Sequence, residues 1–284
     1  MQDGAAAEKY ASPATQSSCA LVECIRDGQL SRMTEVLEEQ RAVDAAEGGA
    51  GKRAYVRATF EQIAPRYDLL NHLLSFNIDR RWRRRALRAL EWHAAPHGRY
   101  LDLCAGTMDV GAQLARERDF AGDIVAADFA TAMLRAGSGK APRHVLAPVT
   151  ADAQRLPLPD ESMDGAIVAF GIRNVASLDA ALREVHRVLR PGGHFVILEF
   201  TTPRWRLVRW AYHLYFHHLL PLIGGLVSGH ATAYRYLPRS VANFPRETEL
   251  AARMTNAGFA RVRWESLTLG VAAVHVGTKL TATC

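Results

Sequence analysis

Short apolar runs and stretches with helix-spaced apolar residues alternate along most of the chain, and that alternation predicts its elements. Tyr100-Leu101-Asp102-Leu103 is an apolar run with one acid inside it. The small residues Ala105-Gly106-Thr107 end it, and Val110–Ala115 continues as a predicted helix. Ile124–Asp128 reads as a second strand ending in an acid, and Thr131–Ala136 starts a helix. Val145–Thr150 is a third, weaker strand and Asp164–Phe170 a fourth. Ser177 can N-cap a helix whose apolar positions Leu178, Ala181, Leu182, Val185, Val188 and Leu189 keep helical spacing, until Pro191-Gly192-Gly193 stops it. His194–Phe200 is a fifth strand, and Ala260–Trp264 with Val271–Gly277 supply two more as a hairpin at the sheet edge. Strands alternating with helices predict an α/β fold with a mostly parallel, doubly wound sheet.

In such a sheet the carboxyl ends of the strands line one crevice, and ligands bind there. The turn after the first strand carries a single glycine, Gly106, instead of the G-x-G-x-x-G of a dinucleotide loop, with Asp102 just ahead of it. That form suits an adenosyl ligand without a pyrophosphate, namely S-adenosylmethionine. Asp128, ending the second strand, can accept both ribose hydroxyls as a bidentate carboxylate. Asp152 with the backbone of Ala153 can meet the adenine edge. Taken singly each acid reads as a loop or cap residue; together, at successive strand ends, they favour the adenosyl ligand.

Outside this alternation the chain has three further parts. Residues 1–50 are an extension, compositionally disordered to about residue 20 and weakly helical from Leu21 to Ala46, which Gly48-Gly49-Ala50-Gly51 links to the body at 51–284. The extension holds four basic residues against nine acidic ones, a balance of −5 in a chain of net charge +6, so the body carries +11. A basic body points to an anionic partner: a membrane surface, nucleic acid or an acidic metabolite. The segment Tyr55 to Leu90 is helical, broken at Pro65, and ends in Asp79-Arg80-Arg81-Trp82-Arg83-Arg84-Arg85. Its arginines read either as a solvated face or as a contact with phospholipid headgroups, with Trp82 at the interface. Thr201 to Phe244 is an insertion whose stretch Trp210–Ser228 is about as long as a membrane span but is interrupted by His213, His217, His218, Pro221 and glycines, which argues against a transmembrane helix. It reads as an apolar cover over a bound substrate, with Arg204, Arg206 and Arg209 on headgroups. The histidines lack an acidic partner, so no metal site is expected. Four cysteines without ligand spacing fit a reduced, cytoplasmic compartment, and the start of the chain does not read as a secretory signal.

Several motifs together resemble one family. Tyr67-Asp68-Leu69-Leu70-Asn71, the Leu101–Asp109 loop, Phe170-Gly171-Ile172-Arg173-Asn174, Leu189-Arg190-Pro191-Gly192-Gly193 and Leu198-Glu199-Phe200 are similar to those of the ubiquinone/menaquinone biosynthesis C-methyltransferases, as are Tyr234-Arg235-Tyr236-Leu237 and Leu269–His275. The resemblance covers residues 55–280, and Phe-Gly-Ile-Arg-Asn is its specific piece. It implies a Rossmann-like class I methyltransferase with a seven-stranded sheet and helices on both faces. It also implies S-adenosylmethionine as cofactor and methylation of a ring carbon of a polyprenylated quinol, peripherally at the inner face of the membrane, as a homodimer or within a quinone-biosynthesis complex. By position, Thr107, Asp128, Asp152 and Ala153 fall on the family's cofactor contacts, and Ala169 stands where a serine contact is common. Met108 stands where many members carry glycine; a side chain directed into the sheet–helix interface would be harmless there.

Ring C-methylation needs a carbon nucleophile, which an ionised ortho hydroxyl provides, and a free phenol ionises only near pH ~10. Arg173, just past the fourth strand, is the expected stabiliser of the phenolate, with Asn174 orienting the same oxygen or a water. The competing role for Arg173 is structural pairing with Asp68 or Glu199. A neutral general base is sought among Tyr67, His72 and His217. No metal is required. Two rivals remain: nucleic-acid methylation, which lacks its Asn/Asp-Pro-Pro-aromatic turn or its Cys after proline here, and a non-catalytic scaffold, supported only by Met108 and Ala169. No nucleic-acid partner is expected.

Overall fold

The structure, a computed structural model, describes residues 37, 40–45, 51–64, 68, 75, 77–215 and 231–281. The alternating pattern folds into one seven-stranded sheet: β1 (Arg99–Leu103), β2 (Asp123–Asp128), β3 (Leu146–Thr150), β4 (Met163–Ala169), β5 (Leu189–Phe200), β6 (Ala260–Leu267) and β7 (Ala272–Thr278), in the order β3-β2-β1-β4-β5-β7-β6. The first five run parallel, whereas β7 pairs antiparallel with both β5 and β6. The C-terminal hairpin therefore joins the sheet through its second strand and leaves β6 at the edge.

The helices are α1 (Lys52–Ile63), α2 (Ile78–Ala89), α3 (Asp109–Leu114), α4 (Thr131–Ala136), α5 (Leu178–Val188), α6 (Arg206–Leu214), α7 (Ala231–Ala242) and α8 (Glu247–Asn256). Ser177 caps α5 as its sequence position predicts, its hydroxyl accepting from the Ala180 amide. Leu189, counted with that helix by spacing, instead opens β5, whose Gly192-Gly193 corner exchanges backbone hydrogen bonds with Lys279. Two buried clusters sandwich the sheet. One gathers Trp82, Leu87, Tyr100, Ile124 and Val196; the other gathers Leu101, Leu103, Leu182, Phe195 and Phe259. Alternate residues of β1 and β5 thus point to opposite faces, as the strand repeat of two requires. Beyond the sheet, residues 40–45 of the extension are helical, and Ala45 packs with Val56 and Tyr236.

The order reverses direction between β1 and β4: β1 leads outward to β2 and β3, and β4 to β5. That switch point opens the crevice at the carboxyl ends of the strands.

Candidate active site

The turn after β1 and the turn after β4 face each other across this crevice, and each carries a non-glycine residue in the left-handed region, Cys104 (φ 50) and Phe170 (φ 61). Backbone of this kind is held only by its surroundings. Gly171 lets the two turns close up, because a Cβ there would lie 2.4 Å from the Cβ of Cys104. Gly106 (φ 54) takes the left-handed step of the loop itself. Met108 (φ 62) follows, but its side chain is buried in the cluster against α2 and does not line the crevice. The support it lent to a non-catalytic scaffold is thereby removed. The crevice encloses about 960 Å³, including the part open to solvent.

The acids at the strand ends behave differently from one another. Asp128 accepts the Gly106 amide on one oxygen (2.8 Å) and the Ala130 amide on the other (2.8 Å). Burial pushes its carboxyl up, and the amides of Ala130, Gly106 and Phe129 pull it back. Each oxygen keeps a second lone pair, which is what a ribose diol needs. Asp102 sits deeper: its carboxylate accepts the Gly111 amide at 2.8 Å, and burial pushes it up to about 7. It lines the crevice floor while anchoring α3. Asp152 meets Arg53 at 3.1 Å and accepts the Gln154 amide at 3.0 Å, and Ala153 beside it is buried. Both line the crevice, as does Ala169 at the end of β4.

Thr107 lines the same wall but donates its hydroxyl to Asp68, a contact across 39 positions. Asp68 also takes the Lys140 ammonium (2.5 Å), Lys140 reaches Asp109 (2.5 Å), and Asp109 takes Arg83 (2.5 Å), which leans on Asp79 at 3.4 Å. Burial alone would raise the Asp109 carboxyl; Arg83 and Lys140 more than offset it and hold it below the usual range. This chain of charges ties α2 and Asp68 to the cofactor loop. Sequence reasoning missed it: no spacing signal connects Lys140 to residues 72 and 31 positions away. It also divides the arginine run. Arg83 belongs to the site, and Trp82 is buried, donating its indole N–H to Thr268 at 2.9 Å and packing on Phe170 and Phe200. The expectation of an interfacial Trp82 is therefore corrected, because the helix turns 82, 83, 86 and 87 inward and Arg80, Arg81, Arg84, Arg85 and Arg88 outward. Arg85 pairs with Glu265.

On the β4 side, Ile172–Asn174 is a single 3-10 turn. Arg173 is buried; its Nη1 meets Glu199 at 2.7 Å and also donates to the Phe170 carbonyl, and its guanidinium carbon lies 5.7 Å from the centre of the Phe200 ring. Of the two structural partners weighed for it, Glu199 is the one it takes. Burial pushes the Glu199 carboxyl up, with Arg173 opposing. Arg173 stands behind the crevice wall formed by Phe170, Gly171 and Asn174, and its Nε has no hydrogen-bond partner among the described residues. Asn174 lines the crevice, and its carbonyl oxygen accepts the Tyr236 hydroxyl at 3.1 Å. Lys52 caps the same turn, donating to the Arg173 carbonyl at 3.0 Å. Tyr67, His72 and His217 lie outside the described residues.

These residues fit S-adenosylmethionine: a carboxylate with free lone pairs at the end of β2, an apolar slot of Phe129, Met133 and Ala153, and a loop whose backbone is approached closely. The comparisons agree. A family model for the ubiE/COQ5 methyltransferase family matches residues 49–279. A demethylmenaquinone methyltransferase of Thermus thermophilus is 50% identical over 222 residues, covering 78% of this chain and 99% of its own. The ubiquinone/menaquinone biosynthesis C-methyltransferase UbiE of Geotalea daltonii is 43% identical over 228 residues, covering 79% and 96%. Among solved structures, a SAM-dependent methyltransferase of Thermotoga maritima, titled a possible histamine N-methyltransferase, superposes with TM-score 0.51 at 20% identity over 78% of this chain and 98% of its own. The [4+2]-cyclase SpnF does so with TM-score 0.53 at 18% identity over 70% and 81%. Those two likenesses concern the fold. With a family match across the whole sheet and its crevice, the chain belongs to the ubiE/COQ5 methyltransferase family and is an S-adenosylmethionine-dependent methyltransferase.

Proposed function

We propose that the chain methylates a ring carbon of a polyprenylated quinol and does so at an anionic membrane surface. The observation that carries the reading is the Arg173-Asn174 turn: a buried arginine, paired with Glu199 but with no partner for its Nε among the described residues, behind a crevice wall that presents the Asn174 amide. S-adenosylmethionine supplies an electrophilic methyl carbon on a sulfonium. The protein's task is to make the ring carbon nucleophilic and to align it. From behind that wall the Arg173 guanidinium favours the phenolate of a quinol whose oxygen is set against it. Tyr236 occupies the Asn174 carbonyl, which leaves the amide donors for the same oxygen. Attack by the anionic ring carbon on the methyl would break the methyl–sulfur bond and release a neutral thioether. Loss of that carbon's proton to solvent would restore the aromatic ring, so the protein's remaining contribution is alignment of carbon, methyl and sulfur.

The relatives named for demethylmenaquinone and for ubiquinone/menaquinone biosynthesis support this substrate class. The membrane reading is supported by the outward arginine face of α2 and the basic body. No helix among the described residues is long and apolar enough to cross a membrane. Quinone profiling tests the proposal: deleting the gene should accumulate the demethylated quinone, and the intact chain, but not its Asp128→Ala variant, should restore the methylated one. Unchanged quinones in the deletion strain would remove the proposal.

A further inference from the structure

Helix α6 points its apolar residues the wrong way for a plain cover. The insertion is expected to turn its hydrophobic side toward the substrate tail, yet Trp205, Leu207, Trp210 and Leu214 are 73%, 77%, 62% and 49% exposed. Leu269, 67% exposed in the β6–β7 connection, stands beside them: Gly270 approaches the Cα of Pro203, and the Thr201 hydroxyl donates to the Gly270 carbonyl at 2.6 Å. Two segments far apart in sequence thus present a joint apolar face at the carboxyl end of β5. Soluble proteins rarely leave such a patch uncovered without a use for it.

Charge identifies what covers it. Between Glu199 and Glu247 the sequence has no carboxylate side chain, while it carries six arginines, Arg204, Arg206, Arg209, Arg235, Arg239 and Arg246. Arg204 and Arg206 are exposed next to the tryptophans, and Glu247, the acid that Arg204 meets at 3.6 Å, is itself buried. Arg209 is held along the helix start by the carbonyls of Pro203 and Arg204 (2.9 and 2.8 Å). Exposed tryptophan and leucine beside arginine, with no acid in the segment itself, is the composition of a helix lying in a lipid interface: the indoles enter the headgroup–acyl boundary and the guanidinium groups stay with the phosphates. A protein partner of this face would need acids of its own and a matching relief; an anionic bilayer supplies both charge and apolar depth without either.

We infer that α6 and the β6–β7 connection form a docking face that seats the molecule on an anionic lipid bilayer, with the strand-end crevice opening next to the lipid. The inference rests on the membrane reading above and gives it a location distinct from the α2 arginines. Docked so, the crevice takes a quinol ring while its isoprenoid tail stays in the bilayer.

The test is flotation of the full chain with vesicles of phosphatidylcholine, with and without phosphatidylglycerol, and quenching of tryptophan fluorescence by bromine-labelled acyl chains. The intact chain should float with the anionic vesicles, less so in high salt, and its tryptophans should be quenched. Trp205→Ser/Trp210→Ser should lower partitioning at least about tenfold and abolish most of the quenching, since the indoles provide the interfacial anchor. Methyl transfer to a short-tailed quinol in solution should be unchanged, while transfer to quinol embedded in vesicles should fall with partitioning. Equal flotation of variant and intact chain, or no quenching, would overturn the docking face. So would a dimer of the intact chain that the double substitution splits while vesicle binding persists. If neither protein methylates the soluble quinol, the proposed function fails while the lipid measurement is still decided on its own terms.

Discussion

The two walls of the crevice are built on different principles. The cofactor wall, at the ends of β1, β2 and β3, presents strand-end carboxylates that accept backbone amides, as Asp128 does with Ala130 and Gly106, and the charge chain from Arg83 to Asp68 ties its loop to α2. The substrate wall, at the ends of β4 and β5, is made of buried side chains paired over long separations: Arg173 with Glu199, Asn174 with Tyr236, and Lys52 with the Arg173 carbonyl. A wall of amide-bound carboxylates is rigid and presents lone pairs. A wall built around a buried cation presents charge, and it depends on its partner remaining in place.

The largest effect should come from breaking the second wall. Arg173→Met leaves Glu199 buried without its cation, a change that costs about 3–5 kcal/mol of stability in comparable pairs, measured by urea unfolding. Adding Glu199→Gln removes the stranded charge and should recover most of that loss. Methyl transfer should stay about a hundredfold down in both proteins, as expected when one electrostatic stabiliser of a preorganised site is lost, and should recover in part at higher pH, where the quinol ionises unaided. If the double variant regained the rate together with the stability, the role of Arg173 would be structural alone.

The first wall is probed by pH. Asp102 has a folded pKa of about 7, raised chiefly by burial from an ordinary 3.8. The folded protein therefore holds a proton that the unfolded chain releases. The resulting stabilisation is complete below about pH 4 and is lost as pH rises through 7, a change of the order of a few kcal/mol. Asp102→Asn should lack this component, so its stability relative to the parent should rise between those limits. Parallel curves would place Asp102 outside this account. Asp128→Ala comes next: it removes an acceptor from two amides and from the ribose, and calorimetry should show S-adenosylmethionine bound about 1–3 kcal/mol more weakly.

Legibility divided by how local each signal is. The strands, the strand-end acids and the glycine loop could be read because their signals are local: an apolar run, a turn residue, an acid one step before the turn. Ser177 is a further case, a cap recognised from its place before a helical pattern and found as one. The charge chain from Arg83 to Asp68 was not legible, since its members lie on α2, the loop, the segment after α4 and Asp68. Trp82 was misread for a related reason. In a run of arginines its position relative to the buried face is decided by where the helix meets the sheet, which the run itself does not state. The alternatives for Arg173 could be named from sequence, but choosing Glu199 required the register of β4 against β5, which sets the two turns side by side.

The smallest of the expected effects sharpens the substrate wall. Tyr236→Phe deletes the hydroxyl that holds the Asn174 carbonyl, and burial pushes that phenol up to about 12, so it stays protonated and able to donate at working pH. The loss should be about 1 kcal/mol, a few-fold in kcat, with S-adenosylmethionine affinity unchanged. A change in cofactor affinity instead would move Asn174 to the other wall.

The central claim, that this crevice methylates a ring carbon, is tested most directly by anaerobic turnover of a short-tailed demethylmenaquinol with donor carrying a deuterated methyl group. The account predicts a product heavier by that methyl, with the label on the ring carbon beside a hydroxyl. A label on oxygen, or no transfer by a folded protein that binds the donor, would contradict it.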